Sequence, residues 1–130
     1  MDANTNALNW FEIPVSNFDR AKKFYETIFN YEMPESFMGS TRMGFFLHDM
    51  PAGKVGGAIV LNEQLLSPSE NGSLIYLNAQ PDLQIILSKV EAAGGIILKS
   101  KTTISEEQNL GYWALMKDTE GNRVALHSMG

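Results

Sequence analysis

The chain has 130 residues, with 10 Lys+Arg against 15 Asp+Glu, a formal net charge of −5, 44% hydrophobic and 19% charged residues. That is enough apolar material for one core, which excludes wholesale disorder and two independent domains. The acidic balance argues against nucleic-acid and anionic-membrane partners, no apolar run approaches the roughly 20 residues that span a bilayer, and the absence of cysteine excludes disulfides and thiolate chemistry.

Residues Met1 to Leu8 are polar, with neither the basic nor the apolar region of a signal peptide, so a cytoplasmic location is expected. Leu8 to Val15 reads as a first strand. Asn17 stands where a helix N-cap belongs, and Phe18, Ala21, Tyr25 and Ile28 follow at helical spacing, predicting a helix over Phe18 to Phe29. Strand-like pieces come next at Tyr31 to Met38, Thr41 to His48 and Val55 to Leu61, broken by Gly39-Ser40 and Pro51-Ala52-Gly53. Asn62 to Asn71 carries Ser, Pro, Glu and Asn and reads as a linker.

The second half repeats this grammar. Gly72 to Ala79 is a strand, and Asp82 is an N-cap. Leu83, Ile86, Val90 and Ala93 mark a helix over Leu83 to Ala93, stopped by Gly94-Gly95. Phe18 and Leu83 lie half a chain apart. Strands follow at Ile96 to Thr102, Gly111 to Lys117 and Asn122 to Ser128, the last two joined by the turn Asp118-Thr119-Glu120-Gly121-Asn122. Ser105 to Asn109 is a polar loop, either a lid or a solvated connection. Each half is therefore strand, helix, strand, strand, strand. The fold class is α+β: one domain over 1–130, made of two β-α-β-β-β repeats at about 8–61 and 73–128, whose sheets form an open curved cup.

This duplication resembles the vicinal-oxygen-chelate superfamily, which holds the glyoxalases, bleomycin-resistance proteins and extradiol dioxygenases. The resemblance rests on Phe11-Glu12-Ile13-Pro14-Val15 running into Asp19-Arg20-Ala21 and Phe24-Tyr25. It rests also on Glu91-Ala92-Ala93-Gly94-Gly95 and on Lys117-Asp118-Thr119-Glu120-Gly121-Asn122, where Thr119 replaces the family's proline. The resemblance implies one divalent metal in the cup, held by His, Glu or Gln on the first and last strands of each module. Those positions fall on Trp10, on Leu74, on Ala125, and on Leu61 or Val60. None of these side chains ligates a hard or borderline cation, so no metal and no cofactor is expected. The resemblance also implies a homodimer.

Strand alternation places Trp10, Glu12 and Pro14 on the cup face, with Phe11, Ile13 and Val15 on the helices. It groups Leu74, Tyr76 and Asn78 with them, and Arg123, Ala125 and His127. On the seventh strand, Tyr112, Ala114 and Met116 alternate with Trp113 and Leu115, and either set can face the cup. Glu12 lies mid-strand among apolar neighbours. It is either a pocket carboxylate acting as base or counter-charge, or half of an ion pair with Arg123 or Arg42. Trp10 is a floor for a planar ligand or plain core. His127 is a rim residue or an acid partnering Glu12, and His48 is expected exposed near a turn. The methionines Met33, Met38, Met43, Met50 and Met116 read as sheet filling.

Three functions follow. The first is metal-free binding of a small planar or amphipathic molecule by Trp10, Glu12, Leu74, Tyr76, Asn78, Ala125 and His127. The second is a superfamily enzyme using Glu12 with His127 or His48, with or without a divalent metal. The third is a dimeric assembly or regulatory module with no small ligand.

Overall fold

The computed structural model describes residues 1–64 and 66–130. The expected linker over Asn62 to Asn71 contains Leu65, which lies outside the described residues. In the first module, β1 (Trp10–Pro14) leads into α1 (Phe18–Phe29), then β2 (Glu35–Met38), β3 (Thr41–Phe45) and β4 (Gly56–Leu61). In the second, β5 (Ile75–Asn78) leads into α2 (Leu83–Leu87), then β6 (Ile96–Thr103), β7 (Tyr112–Lys117) and β8 (Arg123–Ser128). Each module folds into a mixed four-stranded sheet, ordered β1-β4-β3-β2 and β5-β8-β7-β6. The first strand of each sheet pairs in parallel with the last, and the other pairs are antiparallel. This is the expected α+β duplication.

The helices form where the caps put them. The Asn17 side chain accepts from the Arg20 N–H, and Asp82 accepts from the Gln84 N–H. Asn30 ends α1 in the left-handed conformation, at φ 52°. Helix α2 is shorter than expected. From Lys89 on, its N–H groups reach back three residues, to Ile86 and then Leu87, and regular α geometry is lost. The segment ends at Gly95, whose backbone lies too close to Phe24 and the Lys117 carbonyl to admit a Cβ.

Strand β2 starts four residues later than expected because Pro34 has no N–H to give a ladder; its carbonyl accepts from the Phe45 N–H at 2.8 Å. Strand β3 stops at Phe45, and His48 turns back over Gly56.

One core serves both modules. Ile13, Ile59, Leu77, Met116, Val124 and Leu126 from the two sheets meet Phe18, Phe24, Tyr25, Leu83 and Val90 from the helical segments, all buried. The methionines divide: Met33, Met43 and Met116 fill the interior, while Met38 and Met50 are exposed. Among the described residues, the opposite face of each sheet carries no helix.

Candidate functional site

Alternation holds along β1, β5 and β8. Ile13, Leu77, Val124 and Leu126 point into the core, which leaves Trp10, Glu12, Tyr76, Ala125 and His127 on the helix-free faces. Strand β7 is now resolved: Ala114 and Met116 enter the core, and Trp113 turns to the helix-free face with Leu115.

On the first sheet, the helix-free face is a shallow cavity of about 500 Å³ that includes Trp10, Glu12, Met43, Phe45, Val60 and Leu66. The Trp10 Nε1–H donates to Glu12 Oε2 at 3.2 Å. The indole meets the His48 ring edge-on at 5.7 Å between centroids and tilts against Phe45 at 6.2 Å. Glu12 is exposed, which corrects the expectation of a carboxylate enclosed by apolar neighbours. Arg42 is committed elsewhere: it pairs with Asp19 and Glu35 and lies 4.0 Å over the Phe18 ring. Arg123 lines the same crevice as Glu12, with Ser67, Ser69 and Ser73, but no ion pair joins the two among the described residues. His48 is half-buried, not exposed as expected, because its ring packs on Gly56.

On the second sheet, His127 stands in register between Asn78 and Trp113. Trp113 faces Tyr76 at 6.3 Å, with Lys99 Nζ 5.6 Å from its ring. His127 Nε2 lies 2.8 Å from the Leu110 carbonyl, and His48 Nδ1 lies 3.2 Å from the Phe46 carbonyl. A carbonyl only accepts, so each of these nitrogens carries a proton. The structure thus divides the expected site residues. Trp10 and Glu12 share the first sheet, Tyr76, Asn78, Ala125 and His127 belong to the second, and Leu74 immediately precedes β5. No hydrogen bond joins Glu12 to either histidine among the described residues.

The register also fixes which residues correspond between modules. Glu12 pairs with Ala58 as Tyr76 pairs with Ala125. The counterpart of Ala125 is therefore Ala58, not Leu61 or Val60. The four positions of the implied metal are Trp10, Ala58, Leu74 and Ala125, and none offers a nitrogen, oxygen or sulfur ligand suited to a divalent ion. Among the described residues, no three His, Cys, Asp or Glu side chains cluster as a cation site. The donor set does not fit the metal.

Two features escaped sequence reasoning. The first is a polar junction between the modules. Glu120, whose side chain is 0% exposed, accepts from the Ser16 and Asn17 N–H groups and from Arg20 Nε and Nη2, at 2.7–3.1 Å. Burial alone would raise its pKa. The hydrogen bonds from Arg20, the Asn17 N–H, Thr119 and the Ser16 N–H prevail and hold it down to about 2. Beside it the Tyr25 hydroxyl donates to Asp118 Oδ2 at 2.7 Å, and Asn122 Nδ2 donates to the Pro14 carbonyl at 2.8 Å. Burial foremost, then the Asp118 charge, pushes the Tyr25 hydroxyl well above the ordinary tyrosine range.

The second feature is a cavity of about 590 Å³ that lies between the modules at the free edge of β5. Its wall includes Phe11, Phe46, Leu47, Val55, Tyr76 and Asn78. The signal that could have found it is Val55, three residues before Ala58, where the second module has Asn122 three before Ala125.

No protein of curated function matches the sequence. Solved structures do. A glyoxalase/bleomycin resistance protein from Albidiferax ferrireducens is 20% identical, covers 93% of this chain and 97% of its own, and has a TM-score of 0.68. The fosfomycin resistance protein FosX from Listeria monocytogenes is 18% identical over 95% of this chain and 90% of its own, with a TM-score of 0.61. A glyoxalase I mutant from Zea mays is 16% identical with a TM-score of 0.71; the match covers 92% of this chain but 45% of the maize chain. At these identities the likeness is one of fold. A family model described as Glyoxalase/Bleomycin resistance protein/Dioxygenase superfamily matches residues 7–126, and the chain belongs to that superfamily.

Proposed function

We propose that this chain binds a small planar or amphipathic molecule on the helix-free faces of its sheets, without the superfamily's metal. The observation that carries the reading is the exchange of ligating side chains for apolar ones at Trp10, Ala58, Leu74 and Ala125, with an indole left on each face. Trp10 and Trp113 are the chain's two tryptophans. An aromatic surface with a few polar tips is what a planar guest requires. Glu12, exposed and hydrogen-bonded to Trp10, supplies one negative charge for a cationic or donor group. His127 supplies an imidazole on the other face. Enzymatic use of Glu12 would need a histidine in reach, and its hydrogen bond goes to an indole instead.

Pairing of two copies belongs to the same proposal. Strand β2 is exposed along its length, with Phe37 and Met38 at 66% and 65%, and such an edge invites another strand.

Intrinsic tryptophan fluorescence tests the binding reading, because both reporters stand on the faces in question. Untagged protein is titrated with a panel of planar aromatic cations and neutral analogues. A saturable change that Trp10→Phe or Trp113→Phe removes supports the proposal. Elemental mass spectrometry after incubation with Zn, Ni, Mn and Fe is the companion measurement. Near one metal per chain would overturn the metal-free reading.

A further inference from the structure

The two modules meet at two pseudo-equivalent junctions, and only one is closed by polar bonds. In a strand, the N–H and C=O of one residue point to the same edge, and successive residues alternate. The Val15 N–H donates to the Val60 carbonyl, so Trp10, Glu12 and Pro14 direct their backbone groups to the free edge of β1. Asn122 meets the Pro14 carbonyl there. The Ala79 N–H likewise donates to the His127 carbonyl, so Tyr76 and Asn78 direct theirs to the free edge of β5.

Asn78 corresponds to Pro14 and Val55 to Asn122. Valine has no donor, so the Asn78 carbonyl gains no such partner. Among the described residues, no hydrogen bond reaches the backbone groups that Tyr76 and Asn78 present on this edge. The cavity of about 590 Å³ opens at that point.

Its chemistry is specific. No Lys, Arg, Asp, Glu or His lines it, so an ionised guest would lose hydration without a counter-charge. Phe11 and Phe46, tilted against each other at 5.5 Å, line it with aromatic surface. The Tyr31 hydroxyl has committed its proton, donating to the Phe45 carbonyl at 3.1 Å. The Asn78 side-chain oxygen is held too, accepting from the Gln80 N–H at 3.0 Å. The unengaged backbone groups on this edge include the Tyr76 carbonyl and, two residues on, the Asn78 N–H, an acceptor and a donor on one strand. The volume suits a drug-sized molecule. The edge is only Ile75–Asn78, four residues long, too short for a peptide to gain much by strand addition.

We infer that this cleft is a second binding site, for a neutral planar molecule carrying an N–H donor beside a C=O acceptor, as a lactam or heteroaromatic amide does. The ligand N–H donates to the Tyr76 carbonyl, its oxygen accepts from the Asn78 N–H, and its ring lies against Phe11 and Phe46.

The probe is 2-quinolone, compared with N-methyl-2-quinolone, which lacks the donor. Both are titrated into full-length ¹⁵N-labelled protein and followed by amide chemical shifts. The expected result is a saturable shift of the Asn78 amide with 2-quinolone and at least tenfold weaker binding of the methylated probe. Val55→Asn, which restores the donor found at the other junction, should weaken 2-quinolone at least tenfold. Equal affinity for the two probes would overturn the inference, and so would no movement of Asn78. If Val55→Asn fails to fold, the two-probe comparison on the wild-type chain still decides. Shifts confined to the Trp10 and Trp113 indoles would overturn the cleft and leave the earlier proposal standing. Concentration-dependent shifts of the same amides without probe would assign the cleft to a second copy of the chain and overturn the small-molecule reading.

Discussion

Glu120→Gln should weaken the fold in a way that depends on pH. The carboxylate holds a pKa of about 2 against an ordinary 4.5. At about 1.4 kcal/mol per tenfold change in proton affinity, that gap corresponds to about 3 kcal/mol. Arg20 is half-exposed, with its side chain at 51%, and solvent screens its share, so about 2 kcal/mol is the expected loss at pH 7. Glutamine keeps the shape but sets an NH₂ group near the N–H groups of Ser16 and Asn17. The folded pKa is depressed, so the contribution is complete above the unfolded pKa and fades as pH falls through the folded one. Urea unfolding of both proteins at pH 7 and pH 3 measures it. The difference should be about 2 kcal/mol at pH 7 and less than half of that at pH 3. A loss below about 0.5 kcal/mol at pH 7, or one equal at both pH values, would refute the charge-based account of this junction.

Three further outcomes are expected. Tyr25→Phe removes a 2.7 Å bond between buried groups and should cost about 2 kcal/mol in urea unfolding. In the wild-type chain, ultraviolet titration should show Tyr25 still protonated above pH 10; its pKa is raised, so the unfolded chain ionises first and stability falls as pH climbs past 10. Gly57→Ala would drive a Cβ into the Phe11 ring and should destabilise by about 1–3 kcal/mol, with Phe11→Leu restoring part of the loss. Light scattering after size-exclusion should report twice the monomer mass, and Phe37→Lys together with Met38→Lys should return it to one.

The fold was legible because its signals are local. Asn17 and Asp82 name their helices, and Phe18, Ala21, Tyr25 and Ile28 name the buried face of α1. Alternation sorted β1, β5 and β8 correctly, since their core residues interleave with polar or small ones. It left β7 undecided because Tyr112, Trp113, Ala114, Leu115 and Met116 are apolar throughout, and only packing separates Ala114 and Met116 from Trp113. The environment of Glu12 was misjudged for the same reason: sequence neighbours on a strand lie on opposite faces and say nothing of solvent on their own. The cleft was invisible because it depends on two residues in different modules, Val55 and Asn78, whose relation appears only once register is known.

The bonds of Glu120 to Ser16 and Asn17 join positions more than 100 residues apart in sequence, and this orders events during synthesis. When the first module has left the ribosome, the N–H groups opening α1 still lack the carboxylate that satisfies them. The Pro14 carbonyl lacks Asn122, and the Tyr25 hydroxyl lacks Asp118. All three partners lie in the turn between β7 and β8 and emerge together, long after the first module. A chain that is a duplication in sequence therefore has the first module's polar groups satisfied by the second. Its first half waits for its last turn, and a fragment ending at the linker exposes those groups to water instead of closing on them.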